Sequence, residues 1–555
     1  MEQGRSDALL AAQNLNEPED RRRALYAAFA SRDSRFDGQV FVGVSSTRIY
    51  CRPVCTAHMP KYEHCTLYRT AAEAEAAGYR PCLICRPEMA PGMASVDATA
   101  NLARRAAALL RDDCARADSV ERLAARLGYT SRHLRRVFEE EFAVTPVQYL
   151  QTCRLLLAKS LLTDTALPVA QVAQAAGFGS VRRMNALFRE RYRLTPTDLR
   201  KRMDTKGKAA RGERDETKAA SSGSSIVDST DIDASFTVRL GYRPPYGFEK
   251  LLGFFRMRAL AGVEVIGDDS YLRSARIPLP GGSEAHGWVR VENDARRNAL
   301  SVTLSESLLP ALPQVIARIR RQFDTDSNPR AIHERLASLD DAVPGAAVLG
   351  TRLPGCFDPF ETAVRAVLGQ QVTVVAANKL AARIVEAYGT PTGFDAAPDP
   401  APIPTPAPVS AAGRNSSMPE PDPAIAQLTR FFPTPAEMLA LDPIEDALGT
   451  LGVIRTRSRT IAEIARLMAA GELDLGPGSD ASAQMERLLA VKGIGPWSAN
   501  YIAMRTMGYP DAFLETDAGV KHALPDLSPK ERLALAEQWR PWRSYATVSL
   551  WNSLG

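Results

Sequence analysis

Apolar and polar positions change their spacing along this chain, and the changes separate sheet-forming segments from helical ones. Alternating apolar runs at 39–44, 235–240 and 288–291 predict β-strands. Across 98–203, and again from about 308 to the end, apolar residues follow the spacing of amphipathic helices. The polar residues 1–35 are expected to form a helical lead-in.

The helical segment 98–203 contains an internal repeat. A glycine, a phenylalanine and a Thr-Pro pair recur after 49–50 residues: Gly128, Phe138 and Thr145-Pro146, then Gly177, Phe188 and Thr195-Pro196. In the first copy a short apolar helix ends at the glycine, and a second helix follows with Ser131 as its expected N-cap. Each copy therefore predicts a helix-turn-helix unit.

Two other segments lack apolar periodicity. Residues 204–232 are charged and Ser-rich, which predicts a flexible linker. Residues 391–423 contain ten prolines, many in alternation, and this composition predicts an extended, solvated insertion within the last domain.

Length and composition indicate an ordinary multidomain protein. At 555 residues the chain exceeds what one hydrophobic core supports, so about three or four domains are expected. It has no stretch of about 18 apolar residues and no basic start followed by an apolar block, which predicts neither a membrane span nor a secretion signal. We therefore expect a cytoplasmic protein with reduced thiols.

Positive charge is concentrated in the helical repeat. The whole chain has a formal charge of +5, whereas 98–203 holds 19 Lys/Arg and 10 Asp/Glu, a local charge of +9. A basic segment of this size favours a polyanion as its partner, and a merely solvated basic surface is the alternative on charge alone.

Four of the eight cysteines form two close pairs. Three residues separate Cys51 from Cys55, two separate Cys82 from Cys85, and 26 lie between the pairs. In a reducing compartment this spacing predicts a tetrahedral four-thiolate Zn²⁺ site rather than disulfides. The other four fit no ligand spacing and are expected to be buried as small apolar side chains: Cys65, Cys114, Cys153 and Cys356.

The stretch 37–87, which includes FVGVSSTRIYCRPVC and AAGYRPCLICRP, resembles the N-terminal domain of the bacterial Ada adaptive-response family. The resemblance implies that Cys51 takes a methyl group from a DNA methylphosphotriester once, and that the methylated protein activates transcription. Zinc keeps the sulfurs as thiolates, and methylating one lowers the site's negative charge from about −2 to about −1, which favours DNA binding. A zinc-sensing regulator without methyl transfer is the alternative.

The helical repeat resembles the AraC-type DNA-binding domain over nearly its whole length. The resemblance implies that the second helix of each unit enters a major groove of promoter DNA without dimerisation, and that RNA polymerase is a further partner. These two helices carry the basic residues expected to contact DNA: Arg132, His133, Arg135, Arg136, Arg182 and Arg183. A helical adaptor that does not touch DNA is the alternative.

Near the C-terminus the sequence LAVKGIGPWSANY spans 489–501. Its glycines, Gly493 and Gly495, predict a hairpin between two helices whose outward-facing backbone N–H groups hold a DNA phosphate. Asp517 follows 22 residues after Gly495. Hairpin and aspartate together resemble the helix-hairpin-helix glycosylase superfamily. Three further runs resemble its AlkA-type 3-methyladenine branch: 357–371, 432–435 and 540–551.

The resemblance implies excision of a flipped, alkylated purine from double-stranded DNA. Asp517 is expected to stabilise the positive charge that develops on the sugar, or to orient water, as the N-glycosidic bond breaks. Trp497, Tyr501 and Trp551 are expected to line an aromatic pocket that favours a cationic base. Leu368 matches the side chain that wedges into the gap left by that base.

Two substitutions qualify the AlkA-type resemblance. Trp497 stands where relatives that also nick the DNA backbone carry a lysine, which implies a monofunctional enzyme that leaves an abasic site. Ala518 stands where the best-known relatives carry an aromatic residue, which implies a roomier pocket.

The sequence therefore predicts four domains. They are a small α+β four-cysteine zinc domain at 15–92, an all-α double helix-turn-helix domain at 98–203, an α+β domain at 234–345 and an all-α helix-hairpin-helix domain at 346–555. We expect a monomeric, nucleoid-associated protein that repairs alkylated DNA and regulates the response to it. The rival is a DNA-binding transcription factor whose glycosylase half is inactive.

Overall fold

The computed structural model describes residues 19–31, 36, 40–53, 55, 57–68, 71–82, 85, 87, 102–115, 119–202, 234–394, 422–476, 478–539 and 542–554. The linker predicted at 204–232 lies outside the described residues, and so does most of the proline-rich insertion. Within these ranges no helix combines the length and apolar character needed to cross a bilayer.

The N-terminal domain combines helix Glu19–Ala30 with a four-stranded sheet. Its strands are β1 (Phe41–Val44), β2 (Ile49–Cys51), β3 (Cys65–Tyr68) and β4 (Arg80–Pro81), in the order β3-β1-β2-β4. Strand β1 pairs antiparallel with β2 and β3, whereas β2 and β4 run parallel. Helix Ala71–Ala76 precedes β4. The helical lead-in predicted for 1–35 is confirmed over Glu19–Ala30, whereas residues 1–18 lie outside the described residues. The strand predicted at 39–44 is confirmed as β1.

The internal repeat folds into helices throughout. They are Leu102–Asp112, Val120–Arg126, Ser131–Phe142, Pro146–Asp164, Val169–Ala175 and Val181–Tyr192, followed by helical residues 196–202. Gly128 and Gly177 have φ values of +79° and +78°, so each turn needs the left-handed backbone that glycine adopts without strain.

The recurring threonines begin helices. The Thr145 hydroxyl accepts a hydrogen bond from the backbone N–H of Gln148 at 3.2 Å, and the backbone N–H of Thr145 donates to the Gln148 side-chain oxygen at 2.9 Å. The N-cap of helix Ser131–Phe142 is Thr130, whose hydroxyl accepts the backbone N–H of His133 at 3.3 Å. The prediction of Ser131 as N-cap is therefore wrong by one residue, because Ser131 already has helical geometry.

The region after the linker begins with an antiparallel sheet. Its strands are β5 (Ser235–Gly241), β6 (Glu264–Ile266), β7 (Ser270–Pro278), β8 (Glu284–Asp294) and β9 (Ala299–Ser305), in the order β5-β9-β8-β7-β6. Four helices accompany the sheet: Phe248–Met257, Leu312–Gln322, Pro329–Leu336 and Leu339–Ala342. The strands predicted at 235–240 and 288–291 are confirmed within β5 and β8.

The C-terminal region is a helical bundle. Its helices are Pro359–Leu368, Val374–Tyr388, Pro435–Leu439, Ile444–Gly449, Arg455–Ala469, Ala481–Ala490, Pro496–Ile502, Ala518–Ala523, Pro529–Ala536 and Arg543–Asn552. Residues Ala503–Met507 continue helix Pro496–Ile502 as a π-helical turn. A short ribbon of β10 (Thr390–Pro391) and β11 (Arg430–Phe431) joins the two ends of the proline-rich insertion. The predicted combination of α+β and all-α domains is confirmed.

Candidate metal centre and DNA-facing cleft

Parallel pairing of β2 and β4 brings two of the predicted zinc ligands together. Tyr50 lies beside Pro81 in this pairing, so Cys51 at the end of β2 and Cys82 just after β4 emerge at the same edge of the sheet. Cys55 and Cys85 follow Cys51 and Cys82 by four and three positions. The four sulfurs all lie within 4.8 Å of one another.

The four thiols suit a zinc ion. The sulfurs of Cys55 and Cys82 are 3.9 Å apart, close to the edge of about 3.8 Å of a tetrahedron with zinc–sulfur bonds of about 2.3 Å. Hydrogen bonding to Cys55 and Cys82, together with burial, raises the pKa of the Cys51 thiol above its usual range. A dication at the centre removes this competition for protons and holds all four sulfurs as thiolates. The predicted Zn²⁺ site is confirmed.

The second helix of each helix-turn-helix unit, Ser131–Phe142 or Val181–Tyr192, is called its recognition helix. Both recognition helices present basic residues to solvent. All five predicted arginines are exposed, and His133 is half-buried with its ring stacked on Tyr129 at 5.3 Å. Arg135 also forms an ion pair with Glu121 at 2.8 Å, so only part of its charge is available to a ligand. An exposed basic face on the second helix of each unit is the arrangement that groove binding requires.

The two hairpin glycines have different structural roles. Gly493 has a φ of +98°, and a Cβ atom there would lie 2.3 Å from the Thr460 hydroxyl oxygen. That hydroxyl donates to the carbonyl of Lys492 at 2.8 Å and so supports the turn. Gly495 has ordinary geometry, and a Cβ atom there would meet no protein atom within 4 Å. The space beside Gly495 is thus open to a ligand.

Asp517 accepts four N–H hydrogen bonds. Its Oδ1 accepts the backbone N–H groups of Gly519 at 2.8 Å and Val520 at 3.3 Å, so the residue is the N-cap of helix Ala518–Ala523. Oδ1 also accepts the indole N–H of Trp551 at 2.8 Å, and Oδ2 accepts that of Trp497 at 3.1 Å. The carboxylate is therefore both a helix cap and the point where two aromatic side chains meet.

Stacked rings extend from this carboxylate on both sides. Trp497 and Tyr501 are parallel within 7° with centroids 5.1 Å apart, and Trp551 stacks on Phe254 with centroids 5.9 Å apart. Phe254 belongs to helix Phe248–Met257, so the rings around Asp517 come from both domains of the C-terminal half. These four aromatic side chains, together with Asp517, are called the aromatic cleft. The sequence predicted Trp497, Tyr501 and Trp551 as pocket residues, and the structure brings them together. That they bind a base stays a prediction, and Phe254 was not predicted.

Two arginines beside the aromatic rings also escaped the sequence prediction. The guanidinium of Arg258 lies 3.8 Å from the centroid of the Phe254 ring, and that of Arg505 lies 4.7 Å from it. Arg505 donates to the Tyr501 hydroxyl at 2.6 Å. Burial opposes ionisation of this phenol, but three nearby positive charges outweigh burial and lower its pKa: Arg505, Arg258 and Arg365. Arginine spacing alone gave no signal for these contacts.

The structure does not bring Leu368 to the surface. Leu368 is the last residue of helix Pro359–Leu368 and is fully buried in the core of the helical bundle. The prediction that it wedges into DNA is therefore wrong. The exposed residues follow at 371–375, and Gln371 among them has a φ of +56°. Gln370 ties this loop to the hairpin by donating to the carbonyl of Gly493 at 2.9 Å.

Comparisons with known proteins match most of this chain. Family models match the metal binding domain of Ada at 24–88, a helix-turn-helix domain at 123–202, the AlkA N-terminal domain at 237–358 and the HhH-GPD superfamily of base excision DNA repair proteins at 364–539. The chain is also 35% identical over 535 residues to a Mycobacterium tuberculosis protein named "Probable bifunctional transcriptional activator/DNA repair enzyme AlkA", covering 95% of this chain and 96% of that protein. The chain belongs to this bifunctional AlkA family.

Other relatives match only part of this chain. The "DNA-3-methyladenine glycosylase 2" of Escherichia coli is 34% identical over 316 residues, which cover 57% of this chain and 97% of that protein. The "Bifunctional transcriptional activator/DNA repair enzyme Ada" of Escherichia coli is 34% identical over 125 residues, which cover 22% of this chain and 34% of that protein. The expectation of a DNA repair enzyme fused to a DNA-binding regulator is confirmed.

Proposed function

We propose that the C-terminal half of this AlkA-family protein excises alkylated purines such as 3-methyladenine by hydrolysis. The observation that carries the proposal is the position of Asp517, a carboxylate fixed between two indole N–H groups beside an aromatic cleft. Breaking the N-glycosidic bond develops positive charge on the sugar, and a carboxylate held in place stabilises that charge without reorganising. Trp497 stands where relatives that also nick the DNA backbone carry a lysine, so the proposed product is an abasic site in an unbroken strand.

The aromatic cleft is proposed to select the base. N-alkylation makes a purine electron-poor and cationic, and stacked indole and phenol rings favour such a base. Ala518 is exposed at the start of its helix, next to Asp517, and leaves room for bulkier lesions. We assign the wedge to the exposed residues 371–375 in place of the buried Leu368, because Gln370 ties the start of this loop to the hairpin.

Replacement of Asp517 with Asn tests base excision. Asparagine is itself a good N-cap, so the helix Ala518–Ala523 is retained while the charge is lost. We expect release of methylated purines from duplex DNA to fall by about 100-fold or more. The exposed Asp526, replaced with Asn in the same domain, serves as the matched control and retains full activity. A D517N variant as active as wild type contradicts the role of Asp517, and an inactive wild type favours the purely regulatory alternative.

We also propose that the zinc domain repairs methylphosphotriesters. The Cys51 thiolate attacks the methyl carbon, a sulfur–carbon bond forms, the carbon–oxygen bond breaks, and the phosphodiester leaves as an anion. The charge lost from the zinc centre then favours DNA, and the exposed recognition helices bind promoter DNA. RNA polymerase as a partner, a monomeric state and a location on the nucleoid in the cytoplasm complete this proposal.

Methyl transfer is tested by mass spectrometry of the cysteines. After incubation of the full chain with methylated duplex, we expect one added methyl group, on Cys51. Replacement of Cys51 with Ser removes the adduct, whereas replacement of Cys65 with Ser leaves it, because Cys65 lies in β3 and hydrogen-bonds the carbonyl of Lys61 instead of joining the quartet. An unmodified Cys51 in a zinc-loaded protein supports the zinc-sensing alternative.

A further inference from the structure

Ion pairs connect the helix-turn-helix region to the C-terminal half. Asp112 accepts a hydrogen bond from Arg321 at 2.6 Å, and Arg111 lies 3.7 Å from Asp326. Asp112 and Asp326 are both more than nine-tenths buried. Because a buried charge costs several kcal/mol unless it is paired, these pairs indicate an interface built into the fold.

An apolar core also continues across this boundary. Buried residues of helices Pro146–Asp164 and Val181–Tyr192 belong to the same contiguous cluster as those of the sheet that begins with β5. At its edge, Asp164 pairs with Arg239 of β5 at 3.3 Å, and the side chain of Asp164 is only 1% exposed. The second helix-turn-helix unit and the α+β domain therefore share one apolar core with an ion pair at its edge.

A third contact reaches the helix-hairpin-helix domain. Arg105 donates to the carbonyl of Gly478 at 2.7 Å, and Arg126 lies 3.6 Å from Asp474. Gly478 and Asp474 lie three and seven residues before helix Ala481–Ala490, which leads into the hairpin. Ten helical residues span about 15 Å. The three residue steps from Gly478 to the helix add at most about 10 Å, so the hairpin begins within about 25 Å of the Arg105 contact. This is less than the about 34 Å of one DNA turn.

None of these contacts covers a DNA-binding surface. The recognition-helix arginines and both hairpin glycines stay exposed while the halves are docked. We propose that both halves of the docked chain bind a single duplex at once, and that the helix-turn-helix domain supplies part of the glycosylase's grip on DNA. The domain then serves the repair reaction itself as well as transcription. The readout of this inference rests on the proposed base excision.

The first test removes positive charge from the second recognition helix. In the full chain, Arg182→Glu with Arg183→Glu is expected to raise the KM for methylated duplex about tenfold and to reduce the salt slope of binding by about 2. The kcat is expected to stay unchanged, because neither residue reaches the cleft. Arg297→Glu makes the same type of charge reversal at an exposed pair with Asp294 and is expected to change neither quantity.

The second test weakens the contacts between the halves without touching a recognition helix. Arg126→Glu is expected to raise the KM, and adding Asp474→Arg to restore it by reversing the pair. Both side chains are about half exposed, so the fold tolerates the change. Asp112→Arg, rescued by Arg321→Asp, repeats the test at the buried pair, and faster hydrogen exchange of helix Leu312–Gln322 in the single variant reports undocking.

The outcomes separate the two proposals. An unchanged KM in both the recognition-helix variant and the docking variants overturns the shared-duplex inference while base release continues. Loss of rescue in the reversed pairs overturns it as well, because the arginine then acts alone on DNA. Absence of base release by the wild-type chain instead overturns the proposed excision.

Discussion

Single residues in the hairpin separate folding from DNA binding. Gly493 needs a left-handed backbone and has no room for a Cβ atom, whereas Gly495 has both ordinary geometry and open space. We expect Gly493→Ala to lower the free energy of unfolding by about 1–3 kcal/mol, since strain at φ and a steric clash combine. Gly495→Ala is expected to leave stability unchanged and to weaken DNA binding. Thermal unfolding and DNA titration of the two variants measure these effects, and equal loss of stability in both would contradict the distinction.

Glu75 links the zinc domain to the second helix-turn-helix unit. It is buried, and its Oε1 accepts hydrogen bonds from the hydroxyls of Tyr50 at 3.1 Å and Tyr192 at 3.2 Å. Burial raises its pKa to about 7, against the opposing effects of these hydroxyls, Thr152 and the charge of Arg191. A carboxyl whose pKa is raised on folding stabilises the protein below about pH 4.5 and loses that contribution as pH rises through 7.

A pH series on Glu75→Gln tests this linkage. Between pH 5 and pH 8 the wild-type chain is expected to lose up to about 3 kcal/mol of stability from this carboxyl, and the variant to lose much less. Calorimetric unfolding across that range gives the measurement. The exposed Glu139, replaced with Gln, is the control and keeps the wild-type slope. Parallel slopes for E75Q and wild type would show that Glu75 is not the titrating group.

At the residue scale, the sequence identified the zinc-binding cysteines and Asp517, but not the side chains that pack around Asp517. The cysteine spacing and Asp517 depend on short segments, and the structure gathers them as the spacing predicts. Phe254 and Arg258 lie more than 200 residues before Trp551, so only tertiary packing could bring them to the cleft. Leu368 was misassigned because the helix ends at Leu368 itself, with that side chain in the core. The exposed residues begin three positions later, at Gln371.

At the scale of elements, the zinc site depends on one short parallel strand pair. β2 and β4 share only two paired positions, so backbone hydrogen bonding alone cannot hold the sheet edge that carries Cys51 and Cys82. We expect a chelator to unfold the zinc domain, because structural zinc contributes on the order of 10 kcal/mol. Proteolysis within 40–68 should then accelerate, as followed by mass spectrometry.

Base release is the control for zinc removal. In the described part of the C-terminal half no cysteine, histidine or carboxylate cluster suited to a metal occurs, so chelation is expected to leave the rate of excision unchanged. A matching loss of excision would place a metal requirement in the cleft. The helical repeat also shows which signals are reliable. The recurring glycine marks the turn, and the Thr-Pro pair marks the cap of the following helix, Thr145. The cap of helix Ser131–Phe142 instead lies at Thr130, one residue before the predicted Ser131.

At the scale of the whole molecule, sequence periodicity identified the types of domain but not their assembly. Charge pairs such as Asp112 with Arg321 join residues about two hundred positions apart, and no local pattern distinguishes them from ordinary surface charges. The predicted fold class therefore holds, whereas the docking of the two halves emerges only from the structure.

The apolar core shared by the second helix-turn-helix unit and the α+β domain has a practical consequence for dissecting the protein. Cutting the chain anywhere in 204–232 would give two fragments, and each would expose to water the apolar surface that it buries against the other in the intact chain. Separately expressed fragments are therefore expected to self-associate or to require solubilising substitutions, and activities measured on them would understate those of the intact polypeptide.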